Sequence, residues 1–421
     1  MQYENSRAYA QSLDKEDPLK DFRNQFHIPQ HQGKDAIYFT GNSLGLQPKS
    51  TRKFVEEELK SWQELGVEGH FDGKRPWMYY HKFSKEQLAK TVGAKPSEVV
   101  SMNNLTSNLH FMMVSFYRPT KQRYKIITEA GAFPSDQYAL ETQVKYHGYD
   151  PKDALIELKP RAGEHTLRSE DILLAIEEVG DQLALVMMAG VQYYTGQFFD
   201  LKMITHKAHD VGAYCGFDLA HAVGNVPVNL HDNEVDFAVW CSYKYMNSGP
   251  GGMSGIFVHE RHGNNSDLPR FAGWWGHDES ERFQMKKGFK PMTGADGWQL
   301  SNVNVLSSAA HLASLEIFEE VGIDALRKKS LKLTGYLAHL LDELKLDKTK
   351  LEVITPKEAQ ARGCQLSLLV HQNGRKVFDA LTAAGVISDW REPNVVRIAP
   401  VPLYNTFEEA YDFVEILKNT I

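Results

Sequence analysis

Short apolar runs recur along the chain and alternate with longer stretches of helical periodicity. Runs at 98–102, 125–128, 183–188 and 237–241 are bounded by polar residues, as is typical of strands buried on both faces of a parallel sheet. This alternation predicts an α/β fold with a mainly parallel, doubly wound sheet. Ligands of such folds bind beyond the carboxyl ends of the strands.

The pattern changes towards both ends of the chain. Residues 5–26 mix charges with scattered apolar positions and predict one helix packed on the outside. Helices predicted at 309–321 and 325–344 lead into strands at 366–370 and 395–398, which indicates a smaller C-terminal α+β domain. We therefore expect an N-terminal segment (1–45) that packs with the small domain, a large α/β domain (46–309) and the small domain (310–421).

Composition and charge exclude several classes of protein. The 421 residues carry a net charge of −7 without a run of Lys or Arg, which argues against nucleic acid or an anionic membrane as a partner. The longest apolar stretch falls short of the ~20 residues of a membrane helix. The N-terminus is polar and has no apolar signal core, so we expect a cytoplasmic protein. The three cysteines are too few for a disulfide framework and show no C-x-x-C metal spacing.

One lysine stands where the pattern does not favour a charge. In DFAVWCSYKYMNSGPGGMSG (236–255), Lys244 follows a buried strand and precedes a glycine-rich turn. Lysine amines form Schiff bases with pyridoxal phosphate (PLP), and such sites need a partly desolvated amine beside a backbone of little bulk. The ordinary alternative is a solvated surface lysine.

A second polar pair ends the preceding predicted strand. In GAYCGFDLAHAVGN, Asp218 lies at the strand end and His221 follows three residues later. PLP withdraws electrons best when its pyridine nitrogen is protonated, and a carboxylate is the usual partner of that proton. An N-cap aspartate and a core histidine are the alternative interpretation.

Two further stretches suit a phosphate and a flat ring. NNLTSNLH predicts a helix that begins at Thr106 or Ser107, whose free N–H groups and hydroxyls form an anion site, although ordinary capping explains them equally well. Phe133 and Asp136 fall at a strand-to-helix junction, where an aromatic side chain can lie on a cofactor ring. The chain has neither G-x-G-x-x-G after its first strand nor a P-loop motif, which argues against dinucleotide binding and P-loop NTP hydrolysis.

Two stretches near the N-terminus are candidates for a substrate pocket. The loop TGNSLGLQP (40–48) offers Ser43 beside glycines that allow close backbone approach. GHFDGKRPWMYYHKF (69–83) combines His70 with many aromatic residues, as in a wall that holds a polar-edged ring.

Five motifs together carry a resemblance to a known family: YFTGNSLGLQP, FDLAHAVGNVP, SYKYMNSGPGG, FAGWWGH and VVRIAPVPLYNTFEE. From about Tyr38 to its C-terminus the chain resembles the kynureninases, which are PLP enzymes of fold type I within the class-V aminotransferase-like superfamily. The resemblance implies hydrolytic Cβ–Cγ cleavage of L-kynurenine or 3-hydroxy-L-kynurenine to anthranilate or 3-hydroxyanthranilate and L-alanine. Such a reaction serves tryptophan degradation or NAD precursor synthesis.

The resemblance also implies which residues hold the cofactor. Lys244 would carry it, Asp218 would hold its pyridinium nitrogen, and Tyr243 is the candidate proton donor. The implied cofactor contacts are Leu105, Thr106, Phe133, Asp136, Asp218, His221, Tyr243, Lys244, Trp274 and Asn302.

The substrate would be held by a different set of residues. Arg397 would bind the α-carboxylate with its paired donors, and Ser43, His70 and Asn302 would surround the aromatic end. Relatives of this type build the pocket from two subunits, so we expect a homodimer in which Trp274 and Asn302 act across the interface. Trp275 replaces the phenylalanine of some relatives, so the fit around the substrate ring is expected to differ.

Two other functions are compatible with the same fold. A cysteine desulfurase or selenocysteine lyase needs a cysteine on a mobile loop, and Cys364, the late candidate, instead enters a predicted strand. A non-catalytic PLP-fold binding module usually carries a nucleic-acid domain, for which residues 1–35 are too short and lack a basic helix.

Overall fold

A seven-stranded sheet and a four-stranded sheet organise the computed structural model, which describes residues 3–421. The strands are β1 Gln30–His31, β2 Lys34–Asp35, β3 Ile37–Tyr38, β4 Val99–Ser101, β5 Lys125–Glu129, β6 Leu155–Leu158, β7 Leu183–Ala189, β8 Tyr214–Asp218, β9 Phe237–Cys241, β10 Ser254–Val258, β11 Leu351–Val353, β12 Leu366–Val370, β13 Val386–Ile387, β14 Asp389–Arg391 and β15 Val395–Ile398. The α-helices are α1 Arg7–Glu16, α2 Thr51–Leu65, α3 Lys85–Val92, α4 Leu105–Phe116, α5 Pro134–Tyr146, α6 Pro151–Ala154, α7 Ser169–Val179, α8 Leu201–Asp210, α9 Glu260–Gly263, α10 Val305–Val321, α11 Ile323–Glu343, α12 Gly374–Ala383 and α13 Phe407–Lys418. Within residues 3–421, no helix combines the length and apolarity needed to cross a bilayer.

The large sheet confirms the predicted α/β class. Its order is β4-β10-β9-β8-β7-β5-β6, and the pairs from β9 to β6 are all parallel. β10 runs antiparallel to both of its neighbours, β9 and β4. Ala189 pairs with Asp218 and Asp218 with Val239, so the carboxyl ends of β7, β8 and β9 meet at one edge of the sheet.

Side chains of β9 alternate between two hydrophobic clusters. Phe237 and Val239 pack in the cluster formed with α4 and α5. Ala238 and Trp240 pack in the cluster on the opposite face, formed with α3, α7, α8 and α10. Both faces of the sheet are therefore covered, which explains why the strand is apolar throughout.

The four-stranded antiparallel sheet, of order β11-β12-β15-β14, forms the core of the predicted smaller C-terminal domain. Its buried residues pack with those of α11, α12 and α13. The helices predicted to precede it are present as α10 and α11. The domain boundaries at residues 45 and 309 stay predictions, and α10 runs through the second of them.

The prediction of a single helix over 5–26 was wrong. α1 ends at Glu16, and a separate 3-10 helix covers Lys20–Gln25. Pro18 interrupts the pattern because it has no N–H and disfavours helical geometry in the residue before it. The Asp17 carboxylate instead accepts a hydrogen bond from the backbone N–H of Leu19 at 2.9 Å.

The N-terminal helix is tied to the C-terminal part of the chain by buried polar contacts. The Asp14 carboxylate accepts hydrogen bonds from the N–H groups of Phe407 (2.7 Å) and Glu408 (2.9 Å) at the start of α13. The Lys329 Nζ of α11 lies 2.7 Å from the Asp17 carboxylate, and both side chains are almost fully buried. Both contacts cross more than 300 residues of sequence, so only the folded chain forms them.

Candidate active site

A cavity opens at the carboxyl ends of β5, β7, β8 and β9, as the fold class predicts. All of the predicted cofactor residues line it except Trp274 and Asn302. The lining residues are Leu105, Thr106, Phe133, Ser135, Asp136, Ala189, Val191, Tyr193, Asp218, Ala220, His221, Cys241, Tyr243 and Lys244.

The amine of Lys244 contacts two of the predicted site residues. Its Nζ lies 3.0 Å from the Nε2 of His221 and 5.6 Å from the ring centroid of Phe133. Burial, and then the charge of Lys244, hold the pKa of His221 well below its ordinary value. The imidazole is therefore neutral and accepts a hydrogen bond from the lysine amine.

The loop 40–48 packs directly on the backbone that carries the lysine. The N–H of Gly45 donates to the carbonyl oxygen of Tyr243 at 2.9 Å. A Cβ at Gly45 would lie 2.2 Å from the carbonyl oxygen of Lys244, so this approach requires glycine. Ser43, in the same loop, is exposed and does not line the Lys244 cavity.

Three carboxyl groups are buried behind the lysine. Burial raises the pKa of Asp218, and burial together with the nearby Asp218 raises the pKa of Asp136 well above its ordinary value. Glu129, the last residue of β5, accepts from the N–H of Ala189 at 3.2 Å, and burial raises its pKa to about 7. Such a cluster favours a bound cation, and a protonated pyridine nitrogen is one. The sequence reasoning missed Glu129, although its position at the end of a strand was visible.

Another part of the cavity wall has the donors that an anion needs. α4 begins at Leu105, slightly earlier than predicted, because Asn104 is the N-cap and its side chain accepts from the N–H of Ser107 at 3.0 Å. Thr106 lies in the first turn, and its Oγ1 is 2.7 Å from the Oγ of Ser135. Two hydroxyls beside a helix N-terminus are the kind of donors that suit a phosphate. Ser135 had not been singled out, although it stands between Phe133 and Asp136 in the motif.

Two tyrosines complete the wall of the cavity. Tyr243 is half-buried, and burial, followed by its neighbour Cys241, raises the pKa of its phenol, which stays protonated at neutral pH. The ring of Tyr193 meets that of Phe133 edge-on, with centroids 5.2 Å apart. Tyr193 was not predicted as a site residue, although it follows the carboxyl end of β7.

Arg397 contacts Tyr193, a residue of the cavity wall. It lies in β15 and is only 1% exposed. Its Nη1 donates to the carbonyl oxygen of Tyr193 at 2.7 Å, and its Cζ is 5.8 Å from the centroid of the same ring. The arginine therefore lies next to a residue of the cavity wall.

The remaining predicted residues lie elsewhere in the single chain. Trp274 is 46% exposed, lines another cavity, and donates its indole N–H to the carbonyl oxygen of Arg282 at 3.2 Å. His70 and Asn302 line a third cavity together with two tryptophans. Trp275 is buried within its own chain, where the guanidinium of Arg282 covers its ring at 4.8 Å.

Cys364 does not have the properties of a mobile nucleophile. It is fully buried two residues before β12, and burial raises the pKa of its thiol to about 12. Its backbone N–H donates to the Asn225 side chain at 3.0 Å, which holds this part of the backbone in place. A thiol of this kind is not ionised at neutral pH.

One histidine cluster outside the cavity is accounted for by its hydrogen bonds. Glu98, His231 and His259 place possible metal ligands within 4.8 Å of one another. The Glu98 carboxylate already accepts from the N–H groups of Lys95 (2.9 Å) and Glu260 (2.8 Å) and lies 2.9 Å from the Nδ1 of His231. The Nδ1 of His259 accepts a backbone N–H as well. We interpret the cluster as a structural network.

The cavity matches PLP group by group. The phosphate suits the first turn of α4, the ring suits the face of Phe133, the pyridine nitrogen suits the buried carboxyls, and the aldehyde suits the amine of Lys244. Together with the parallel sheet, this match defines a PLP enzyme of fold type I.

Comparison with known proteins identifies the family. A family model described as the kynureninase C-terminal domain matches residues 326–417. The chain is 57% identical to the kynureninase of Flavobacterium psychrophilum and 56% identical to that of Flavobacterium johnsoniae, in each case over 100% of this chain and 99% of the relative. The chain therefore belongs to the kynureninase family.

A solved structure supports the fold independently. The cysteine desulfurase from Thermococcus onnurineus NA1 superposes with a TM-score of 0.76, at 19% identity and over 97% of each chain. At this identity the likeness extends to the fold alone.

Proposed function

We propose that the chain hydrolyses the Cβ–Cγ bond of L-kynurenine, of 3-hydroxy-L-kynurenine, or of both, and releases L-alanine with the corresponding anthranilate. The observation that carries the proposal is the amine of Lys244 held against neutral His221, over Phe133, in a family defined by full-length kynureninases. Among the relatives of this fold, burial of Cys364 disfavours a desulfurase.

When bound, PLP withdraws electrons from the substrate's α-carbon, so that bonds at the α- and β-carbons break more easily. Lys244 is the base that takes the α-proton, and neutral His221 accepts a hydrogen bond from its amine. The Asp218 carboxylate would hold the proton of the pyridine nitrogen, and the hydroxyls of Thr106 and Ser135 would bind the phosphate.

Cleavage also needs water and a proton donor. Water adds to the γ-carbonyl, the Cβ–Cγ bond breaks, and the departing β-carbon takes a proton to become the methyl group of L-alanine. Tyr243 is our candidate for this proton, because burial keeps its phenol protonated at neutral pH. Arg397 binds the α-carboxylate.

The assay is the appearance of anthranilate fluorescence when purified protein, PLP and L-kynurenine are mixed. Borohydride reduction followed by peptide mapping should place the cofactor on Lys244, and Lys244→Ala should abolish both signals. A labelled Lys244 without anthranilate would redirect the assignment to other carbon–carbon or carbon–sulfur lyases of the fold.

We further propose a homodimer in which Trp274 and Asn302 of one subunit complete the site of the other. In support, both side chains are exposed and neither lines the Lys244 cavity of its own chain. With 3-hydroxykynurenine as substrate, His70 and Asn302 would hydrogen-bond the ring hydroxyl, and His70→Phe should lower its kcat/KM relative to that of kynurenine. The cytoplasmic location stays a prediction, consistent with three free, buried cysteines.

Hybrid dimers test the shared site. Lys244→Ala homodimers should be inactive and Asn302→Ala homodimers should have lowered activity on 3-hydroxykynurenine, and activity should rise after the two are mixed and their subunits exchange. A heterodimer would hold one complete site, so about a quarter of the wild-type sites should return on statistical mixing. No regain after verified exchange would place both residues in the same subunit's site.

A further inference from the structure

The guanidinium of Arg397 is held on two sides by its own chain. Asp389 in β14 lies directly opposite Arg397 in β15, and its Oδ2 accepts a hydrogen bond from the Nη2 of Arg397. The Nη1 donates to the carbonyl oxygen of Tyr193 at 2.7 Å. The side chain is 1% exposed, so these contacts determine where a buried cation points.

One nitrogen of this guanidinium makes no hydrogen bond. Within the described part of the chain, the Nε of Arg397 has no hydrogen-bond partner, although it is buried. A buried donor without a partner is available to a ligand, and this one belongs to the arginine that contacts Tyr193 of the cavity wall. A planar guanidinium whose position is fixed and whose Nε–H is free is suited to a carboxylate ligand.

The charges around Asp389 also do not balance. Its Oδ2 is shared with a second arginine, Arg391, whose Nη2 is 3.2 Å away. One carboxylate between two guanidiniums leaves one positive charge uncompensated. Both arginines also lie close enough to His221 in the cofactor cavity to contribute to its lowered pKa. An anionic group that enters from the cavity would therefore be attracted to this pair.

We propose that Asp389 is a positioning residue, which fixes the guanidinium of Arg397 so that its free edge receives the α-carboxylate of the substrate. The inference rests on the proposed role of Arg397 as the carboxylate ligand. Without Asp389, a long side chain would have to be ordered when the substrate binds, and that ordering reduces affinity. A variant without Asp389 should therefore bind the substrate's carboxylate more weakly, whereas the rate of the bond-breaking step should not change.

The test compares Asp389→Asn with wild type as PLP-loaded enzymes. It uses L-kynurenine and kynuramine, the analogue that lacks the α-carboxylate. For Asp389→Asn we expect KM for L-kynurenine to rise by about 10- to 100-fold, kcat to change little, and Ki for kynuramine to stay unchanged. Asp379→Asn is the matched control, since it removes the carboxylate partner of an exposed arginine, Arg375, and should leave KM unchanged.

Arg397→Gln separates the inference from the function on which it rests. It should raise KM for L-kynurenine by about 100-fold or more without changing Ki for kynuramine. An unchanged KM in Arg397→Gln would refute the carboxylate role itself. If Arg397→Gln loses affinity and Asp389→Asn does not, or if Asp389→Asn weakens kynuramine equally, the positioning role is overturned. Should Asp389→Asn fail to fold, Asp389→Glu permits the same comparison, because it keeps the charge and displaces it by one methylene.

Discussion

Glu129 should make the cofactor-free protein less stable as the pH rises. Its carboxyl is fully buried, and its pKa rises from the ordinary 4.5 to about 7 on folding. Below pH 4.5 the carboxyl is protonated in both the folded and the unfolded state. Between pH 4.5 and about pH 7 it stays protonated only in the folded state, so the free energy of unfolding falls as the pH rises through this range and is constant above it. The difference between these two pKa values corresponds to about 3 kcal/mol in full, most of which is lost between pH 5 and pH 8.

Glu129→Gln removes this titration while keeping the shape and the acceptor for the N–H of Ala189. The assay is urea unfolding of cofactor-free wild type and variant at pH 5 and pH 8, at one protein concentration. Between pH 5 and pH 8, the difference in unfolding free energy between variant and wild type should shift by about 2–3 kcal/mol in favour of the variant. Glu157→Gln, an exposed position on neighbouring β6, is the matched control and should show no such change. If the difference in unfolding free energy between Glu129→Gln and wild type is the same at both pH values, the reasoning is refuted.

Three other substitutions test packing, ion pairing and the alternative chemistry. Gly216→Ala would place a Cβ 2.1 Å from the buried ring of Phe237. It should lower the free energy of unfolding, measured in urea, by about 1–3 kcal/mol. Adding Phe237→Leu should recover part of this loss, because the smaller side chain leaves room for the Cβ. If the losses of the two single variants simply add in the double variant, the clash is not the cause. Lys329→Met leaves the buried Asp17 carboxylate unpaired and should cost about 3–5 kcal/mol, whereas adding Asp17→Asn should restore most of the loss in the same assay. Cys364→Ala should leave turnover of L-kynurenine unchanged because the thiol is buried away from the cavity, and loss of anthranilate formation would contradict that view.

The local sequence pattern was sufficient to predict the main strands and the residues at the centre of the site. The apolar run of β9 predicted a strand covered on both faces, and Lys244 and Asp218 stood out because polar groups at the ends of such strands are uncommon. The pattern failed at residues 5–26, where Pro18 divides the helical periodicity into two elements. Periodicity cannot register the loss of a single N–H.

Residues that act through contacts distant in sequence needed the folded structure. The neighbours of Glu129 in the sequence do not show that it is buried; its contact with Ala189 of β7 forms only on folding, and burial then raises its pKa. Asp389 became relevant because the register of β14 and β15 places it opposite Arg397. Strand register and burial depend on the whole chain.

By itself, the sequence determined the α/β class, the cofactor-carrying lysine as a hypothesis, and the family to which its motifs belong. The tertiary structure decided which side chains share one cavity, which carboxyls are buried together, and which predicted residues lie outside that cavity in a single chain. The physical reason is that propensity and periodicity act over a few neighbouring residues. Hydrogen-bond partners, desolvation and charge pairing are set by segments that are far apart in the chain and meet only after folding.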